Sequence, residues 1–243
     1  MITRRKPPIR RIVALDTETT GLDPEKHGVI EIACILWDVK HRTSIARWAT
    51  LDSYAGVNEA EHINGIPQEL LEDLPRIRKM DWLLPATELM ASGDLIIAHN
   101  APFDQAFVGN LVEGVPWVCS KDDIRWPIET KKRSLIDVAL AHGVPVYSAH
   151  RAMADADLII RLLERCHELG HDVRGMLAEG LRRSQLPKFK YKSLEPFERK
   201  DAVKAAGFHW DAEERIWWRT MNEEDAAMVK EQGIKMSRVE NKP

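Results

Sequence analysis

The chain has 243 residues, 44% of them hydrophobic and 30% charged, with a formal net charge of −3. That composition is ordinary for a soluble globular protein, and the length fits one large domain, or one of about 170–180 residues with a small second one. The chain is not a polycation, so nucleic acid would have to be held by local basic patches or metal ions rather than by overall charge. The three cysteines, Cys34, Cys119 and Cys166, are odd in number, far apart and form no Cys-x-x-Cys pair. They argue against a disulfide framework or a zinc site and for a reducing, cytoplasmic setting. No apolar run approaches the roughly 18–20 residues of a membrane span, so no membrane association is expected.

Residues 1–8 are expected to be a disordered basic arm, with Arg4, Arg5 and Lys6, either touching phosphates or simply solvated; no apolar stretch follows to make a signal peptide. Residues 12–16 read as a strand apolar on both faces, as a buried central strand should be. A polar turn region with Gly21, Pro24 and Gly28 leads to strands over 29–37 and 45–51, together an antiparallel meander. Residues 82–91 read as a helix. Residues 94–98 form a short buried strand running directly into His99-Asn100 and a helix from about 102 to 112, with Pro102 suited to its first turn. Two more helices follow over 134–142 and 152–169, ended by Gly143 and Gly170.

Three segments carry chemistry. In Asp16-Thr17-Glu18 the acids are two apart, so on a strand they share a face. Two adjacent carboxylates repel unless one is protonated or a cation lies between them, and hard divalent cations prefer oxygen ligands. A capped turn is the plain alternative. Asp104 sits in the first turn of a helix after a buried strand, in line with Val108 and Leu111; complementing the helix dipole would place an acid there too. Asp155 lies at the margin of the apolar face formed by Ala152, Ala156, Ile159, Leu163 and Cys166, with no basic residue in the turn that follows it. His150 precedes it by five positions and must sit in the loop before the helix to share a site. Spacing alone would equally pair His150 with Asp157.

The stretches Ala14-Leu-Asp-Thr-Glu-Thr-Thr-Gly-Leu22, Ala98-His-Asn-Ala-Pro-Phe-Asp104 and Ala149-His-Arg-Ala-Met-Ala-Asp-Ala156 resemble, in order and separation, the three motifs of the DEDDh branch of the DEDD exonuclease superfamily. The resemblance covers about residues 9–170. It implies an α/β fold, a ribonuclease H-like mixed central sheet flanked by helices. It implies a metal-dependent 3′→5′ exonuclease that releases nucleoside 5′-monophosphates. Asp16, Glu18, Asp104 and Asp155 would bind two Mg²⁺ or Mn²⁺ ions, and His150 would be the general base, which selects Asp155 over Asp157. The expected substrate is DNA 3′ ends in repair, proofreading or end trimming; an exoribonuclease is the nearest alternative. A non-catalytic adaptor for nucleic-acid ends is a further one, opposed by the presence of all five residues. Thr17, Thr19 and Thr20 would hold the terminal nucleotide, with Leu22 and Ile66 as apolar wedges. Where the family often has His-Gly-Ile, this chain has Asn64-Gly65-Ile66, with His62 two places early. Glu31, a charge on an apolar strand, reads either as part of the site or as a salt bridge beneath it; His99 reads as a structural histidine.

The exonuclease domain is expected over residues 9–182, followed by a basic linker over 183–192 that runs into a short strand. Gln185-Leu-Pro-Lys-Phe189 resembles the peptides with which bacterial replication proteins dock on the sliding clamp; the alternative is that Leu186 and Phe189 pack the second domain. Residues 193–243 read as a small α+β domain: helix 199–206, strands near 208–210 and 216–218, and helix 223–231. Trp210, Trp217 and Trp218 lie among Lys188, Lys190, Lys192, Arg215 and Arg219 and could stack unpaired bases. A small domain must also bury aromatics merely to fold. A monomeric, stand-alone enzyme is expected.

Overall fold

The computed structural model describes residues 8–75, 79–130, 132–148 and 150–239. Arg4, Arg5 and Lys6 of the expected basic arm lie outside them, as does Ala149. The first three strands, β1 (Arg11–Thr19), β2 (Val29–Asp38) and β3 (Thr43–Leu51), form the expected antiparallel meander. Two short helices follow, α1 (Glu61–Asn64) and α2 (Gln68–Asp73), and then a longer one, α3 (Lys79–Ala91). Strand β4 (Leu95–Ala98) joins β1 in parallel and leads into α4 (Ala101–Val108). Strand β5 (Trp117–Cys119) adds in parallel to β4, giving the mixed order β3-β2-β1-β4-β5. Helices α5 (Leu135–Ala141), α6 (Ala152–Glu168) and α7 (Val173–Ser184) complete this domain.

Both faces of the sheet are covered, which is why β1 reads as continuously apolar. Ile12 and Ala14, with Ala33, Ile35, Trp37, Leu95 and Ile97, pack against Ala156, Ile159 and Leu163 of α6. Val13 and Leu15, with Ile32, Cys34 and Ile96, pack against Trp82, Ala86 and Met90 of α3 and Val108 of α4. The strand is held at its start by the Asp94 carboxylate, which accepts from the Arg10 and Arg11 amides. The parallel strands β1, β4 and β5 bring residues 19, 98 and 119 to one edge of the sheet, the edge on which the chain then turns.

Residues 183–192 are a linker only over 185–188, which runs into the expected short strand. Arg183 and Ser184 finish α7, and Phe189–Ser193 is β6, an inner strand of a second sheet. Its lysines alternate with Phe189 and Tyr191, so the charges mark one face of a strand rather than a solvated tether. Helix α8 (Lys200–Ala205), strands β7 (His209–Asp211) and β8 (Ile216–Met221), helix α9 (Glu223–Glu231) and strand β9 (Met236–Arg238) follow. The strand order is β7-β8-β6-β9, all antiparallel. Phe189 and Trp217 pack around Tyr191, Val203, Phe208, Met221 and Val229 in this domain's core. Phe189, with the Arg238 guanidinium over its ring, therefore takes the packing role weighed above. To dock on a clamp as an extended peptide it would have to leave β6.

The small domain is fastened by ion pairs. Arg183 is 1% exposed; its guanidinium donates to both Asp225 oxygens at 2.9 and 3.0 Å, and to the Asp122 and Asp123 carbonyls. Arg125 adds a second contact to Asp225 at 2.6 Å, and Lys188 pairs with Asp123 at 3.0 Å. Removing Arg183 leaves buried Asp225 with Arg125 alone and the Asp122 and Asp123 carbonyls without this donor. Arg183→Ala is therefore expected to lower unfolding stability by about 3 kcal/mol, read by chemical denaturation. A loss under about 0.5 kcal/mol, the range of an ordinary surface substitution, would mean that the pair contributes nothing net.

Candidate active site

The even-numbered residues of β1 face α6. Asp16 and Glu18 continue that face beyond Ile12 and Ala14, where the hydrophobic packing ends. Asp155 comes from the first turn of α6, and carboxylate oxygens of Asp16, Glu18 and Asp155 all lie within 4.8 Å of one another. Thr17 points to the opposite side and donates its hydroxyl to Asp104 of α4 at 2.8 Å. Asp104, 2% exposed, lies close enough to Asp16 to raise its pKa. Asp157, the other candidate partner of His150, pairs instead with Arg47 of β3.

Two backbone features aim the helices. Asn100 enters α4 at φ 73° and His150 precedes α6 at φ 59°, both left-handed conformations that a residue with a Cβ adopts at a cost. Asn100 lies directly before its helix and His150 two residues before its own, and each helix brings an acid to the site. The His150 amide donates to Asp155 at 3.3 Å, and the residue is exposed at the mouth of the cluster.

Glu31 lies opposite Glu18 in the β1–β2 register and is 5% exposed. Arg151 donates to it twice, at 3.0 and 2.9 Å, and the Ala152 amide adds a third bond at 3.1 Å. Glu31 is thus the salt bridge beneath the site, and it ties the start of α6 to β2. The lone charge in an apolar strand was its signal; nothing in the sequence marked Arg151 as its partner. Asn64 was also missed. It is buried and donates to the Thr19 carbonyl at 3.2 Å, fastening the segment that departs from His-Gly-Ile to the end of β1. His62 is exposed on the same short helix.

The threonines after Asp16 brace this end of the strand. The Thr19 hydroxyl donates to the Gly21 carbonyl, and Thr20 exchanges bonds with Gly28 through its amide and its hydroxyl. Leu22 is 80% exposed, as a wedge must be, whereas Ile66 is 1% exposed and packs with Ile30 and Leu71. Buried there, Ile66 offers no surface to a base. His99 accepts from or donates to Ser120 at 2.9 Å and reaches the Arg133 carbonyl at 3.0 Å; burial lowers its pKa to about 4, so it is a neutral structural imidazole. All three cysteines are buried, and burial raises their pKa values to about 12, 11 and 11, which leaves no thiolate for chemistry.

Electrostatically the acids are in conflict. Burial, then Asp104, Asp155, Glu18 and Glu31, push Asp16 well above the normal carboxylate range. Burial, then Asp155 and Glu31, raise Glu18 to about 8. Burial raises Asp104 to about 7 against the Thr17 hydrogen bond, and raises Asp155 against the His150 amide. The donor set is all carboxylate oxygen, and the nearby Arg151 is engaged by Glu31. These residues fit hard divalent cations.

The pH dependence has a definite sign. A carboxylate titrates near 4 when unfolded, so in the metal-free fold these groups hold protons that the unfolded chain has released. The contribution of these groups to stability is then greatest at low pH and is lost as pH rises from about 4 through about 8. A bound cation removes that loss. The difference in Tm between Mg²⁺- and EDTA-treated protein is expected to widen from about pH 5 to about pH 8.5. A gap independent of pH would show that the acids are already ionised without metal.

The Exonuclease (RNase_T) family model matches residues 13–113, which include Asp16, Glu18 and Asp104. The epsilon subunit of DNA polymerase III from Treponema pallidum is 29% identical over 165 residues, 61% of this chain and 73% of that protein. PolC-type DNA polymerase III from Thermotoga petrophila is 28% identical over 171 residues, 65% of this chain; the match spans only 12% of that protein's length. Among solved structures, E. coli exonuclease I in complex with a dT13 oligonucleotide is similar at a TM-score of 0.58, with 15% identity, over 87% of this chain and 52% of that one. That likeness is one of fold, a ribonuclease H-like mixed sheet with helices on both faces. Residues 13–113 thus match an exonuclease (RNase_T) domain, within a fold shared with solved exonucleases.

Proposed function

We propose that this protein is a 3′→5′ exonuclease that removes nucleoside 5′-monophosphates from DNA ends by two-metal-ion hydrolysis. The observation that carries this reading is the convergence of Asp16, Glu18 and Asp155 within 4.8 Å, with Asp104 beside them. Among the described residues the one arginine acting on Glu18 is already held by Glu31. Such a cluster is unfavourable for folding and becomes useful only with cations bound. Held by Asp16, Glu18, Asp104 and Asp155, two divalent ions would activate a water and stabilise the leaving 3′ oxygen of an in-line displacement.

His150 is the general base. It is the histidine exposed at the mouth of the cluster, it lies beside Asp155, and an imidazole can accept a proton near neutral pH. Leu22, exposed beyond the turn that Thr19 and Thr20 brace, would cap the terminal base. No covalent intermediate is required. DNA is supported as substrate by the named relatives, which are DNA polymerase III proteins. The protein acts as a monomer in this reading.

Matched single- and double-stranded DNA and RNA oligonucleotides, each 5′-labelled, test the proposal. The expected result is a ladder of 3′-shortened DNA with Mg²⁺ that disappears with EDTA and with Asp16→Ala. His150→Ala is expected to lower kcat by about 10²–10⁴ while retaining the metal-induced rise in Tm. Failure to shorten any substrate with Mg²⁺ or Mn²⁺ would leave a binding protein. Faster loss of RNA than of DNA would move the substrate to RNA.

A further inference from the structure

The small domain presents two unlike faces. One carries Phe189, Tyr191, Trp217 and Met221 into its core. Side chains of directly opposed residues in a sheet share a face, so the other face is set by the register. Lys190 lies opposite Thr220, and Lys192 lies between Trp218 and Ser237. His209 lies opposite Trp218 on its other side. Trp218 is therefore flanked by a lysine and a histidine in one row, and the Lys190 ammonium sits 4.6 Å from its ring centroid. The indole is half-buried on the side away from the core, where folding does not call for it. One acid shares this face, Asp211, and its carboxylate is occupied by the Glu213 and Glu214 amides of the following turn.

The placement of this face matters as much as its composition. The segment after β5 leaves the same sheet edge that holds Asp16 and Glu18. That segment carries Asp122 and Asp123, which pair with Arg219 and Lys188 of the small domain. Lys121 and Asp122 also act electrostatically on His209, at the β7 edge of the small sheet. The row His209, Trp218, Lys192 thus starts beside the catalytic edge and runs away from it.

We propose that this face binds single-stranded DNA, with an unpaired base stacked on Trp218 and phosphates neutralised by Lys190 and Lys192, upstream of the 3′ end held at the acids. The proposal rests on the exonuclease reading for the direction of the strand. The face commits to an unpaired strand because a base buried in a duplex stack cannot lie on an indole. Its positive charge and its aromatic ring match the two parts of a nucleotide that do not depend on sequence.

The test is fluorescence anisotropy of a 5′-fluorescein-labelled oligothymidylate with the full chain in EDTA, which measures binding without hydrolysis. Trp218→Ala is expected to weaken binding by about tenfold, and Trp218→Phe, which keeps a stacking ring, by much less. Lys190→Ala with Lys192→Ala is expected to reduce the slope of log K against log salt by about 1.4, for two lost phosphate contacts at about 0.7 each. Thermal denaturation checks that each variant is folded. Wild-type affinity in folded Trp218→Ala and in the double-lysine variant would overturn the proposal. So would tighter binding of the matched duplex, or of oligouridylate, than of the DNA strand. If Mg²⁺ elicits no hydrolysis while Trp218→Ala still loses binding, the platform stands and the exonuclease reading fails. Intact hydrolysis with unchanged binding in the variants overturns the platform alone.

Discussion

Carboxylates crowded at the end of one buried strand set the conditions for everything around them. Each is desolvated, and each raises the free energy of its neighbours. Such a cluster would relax if its parts were free to move, by rotating side chains into water or by shifting a helix. Here each part is anchored separately. Strand β1 is hydrogen-bonded on both sides, by β2 and β4. Asp104 is held through Thr17, and α4 and α6 are each entered through a left-handed residue. Two such conformations cost on the order of 1–3 kcal/mol each, a cost that the fully covered sheet can bear because apolar burial on both faces contributes far more.

The pair formed by Glu31 and Arg151 separates two kinds of negative charge in this region. Both Glu31 oxygens are taken up inside the protein by a guanidinium and a backbone amide, so they are committed to holding α6. Among the described residues, Asp16, Glu18 and Asp155 have no comparable ion pair. The same pair joins β2 to the first turn of α6, which fixes Asp155 relative to Glu18 across two elements distant in sequence. Arg151 follows His150 directly. One short segment therefore carries the candidate base, the anchor of its helix and, four residues past the anchor, an acid of the cluster.

Legibility in the sequence followed the strength of the local signal. The strands β1, β2 and β4 and the helix α6 were readable because a fully covered sheet and a one-sided helix impose long, regular apolar patterns. Strand β5 and helices α1 and α2 were not, being too short to show a period. Helix α7 was hidden by the basic run Arg182-Arg183, read as the start of a linker although Arg183 is among the most deeply buried side chains. Its charge is satisfied by Asp225, some forty positions on, which no local rule can supply. Within the site, alternation placed Asp16 and Glu18 on one face without help. The choice of Asp155 over Asp157 needed either the motif or the third dimension, where Arg47 takes Asp157 from another strand. Ile66 reads as a candidate contact beside Gly65, and only the packing of Ile30 and Leu71 around it shows that it is core.

The junction between the two domains bears on how the site works. It contains a set of ion pairs, with Arg183 and Asp225 buried and Arg125, Lys188 and Arg219 adding further pairs. Ion pairs of this kind contribute less net stability than an apolar seam of equal size, because desolvation offsets much of their attraction. What they impose is orientation, since a guanidinium satisfied by two carboxylate oxygens and two carbonyls tolerates few alternative poses. A domain on a flexible tether would raise only the local concentration of whatever it binds. A domain fixed at the carboxyl ends of β4 and β5 can present its face at a set distance and angle from the acids. The orientation of the junction, more than its strength, is therefore the property through which the second domain can influence chemistry at the first.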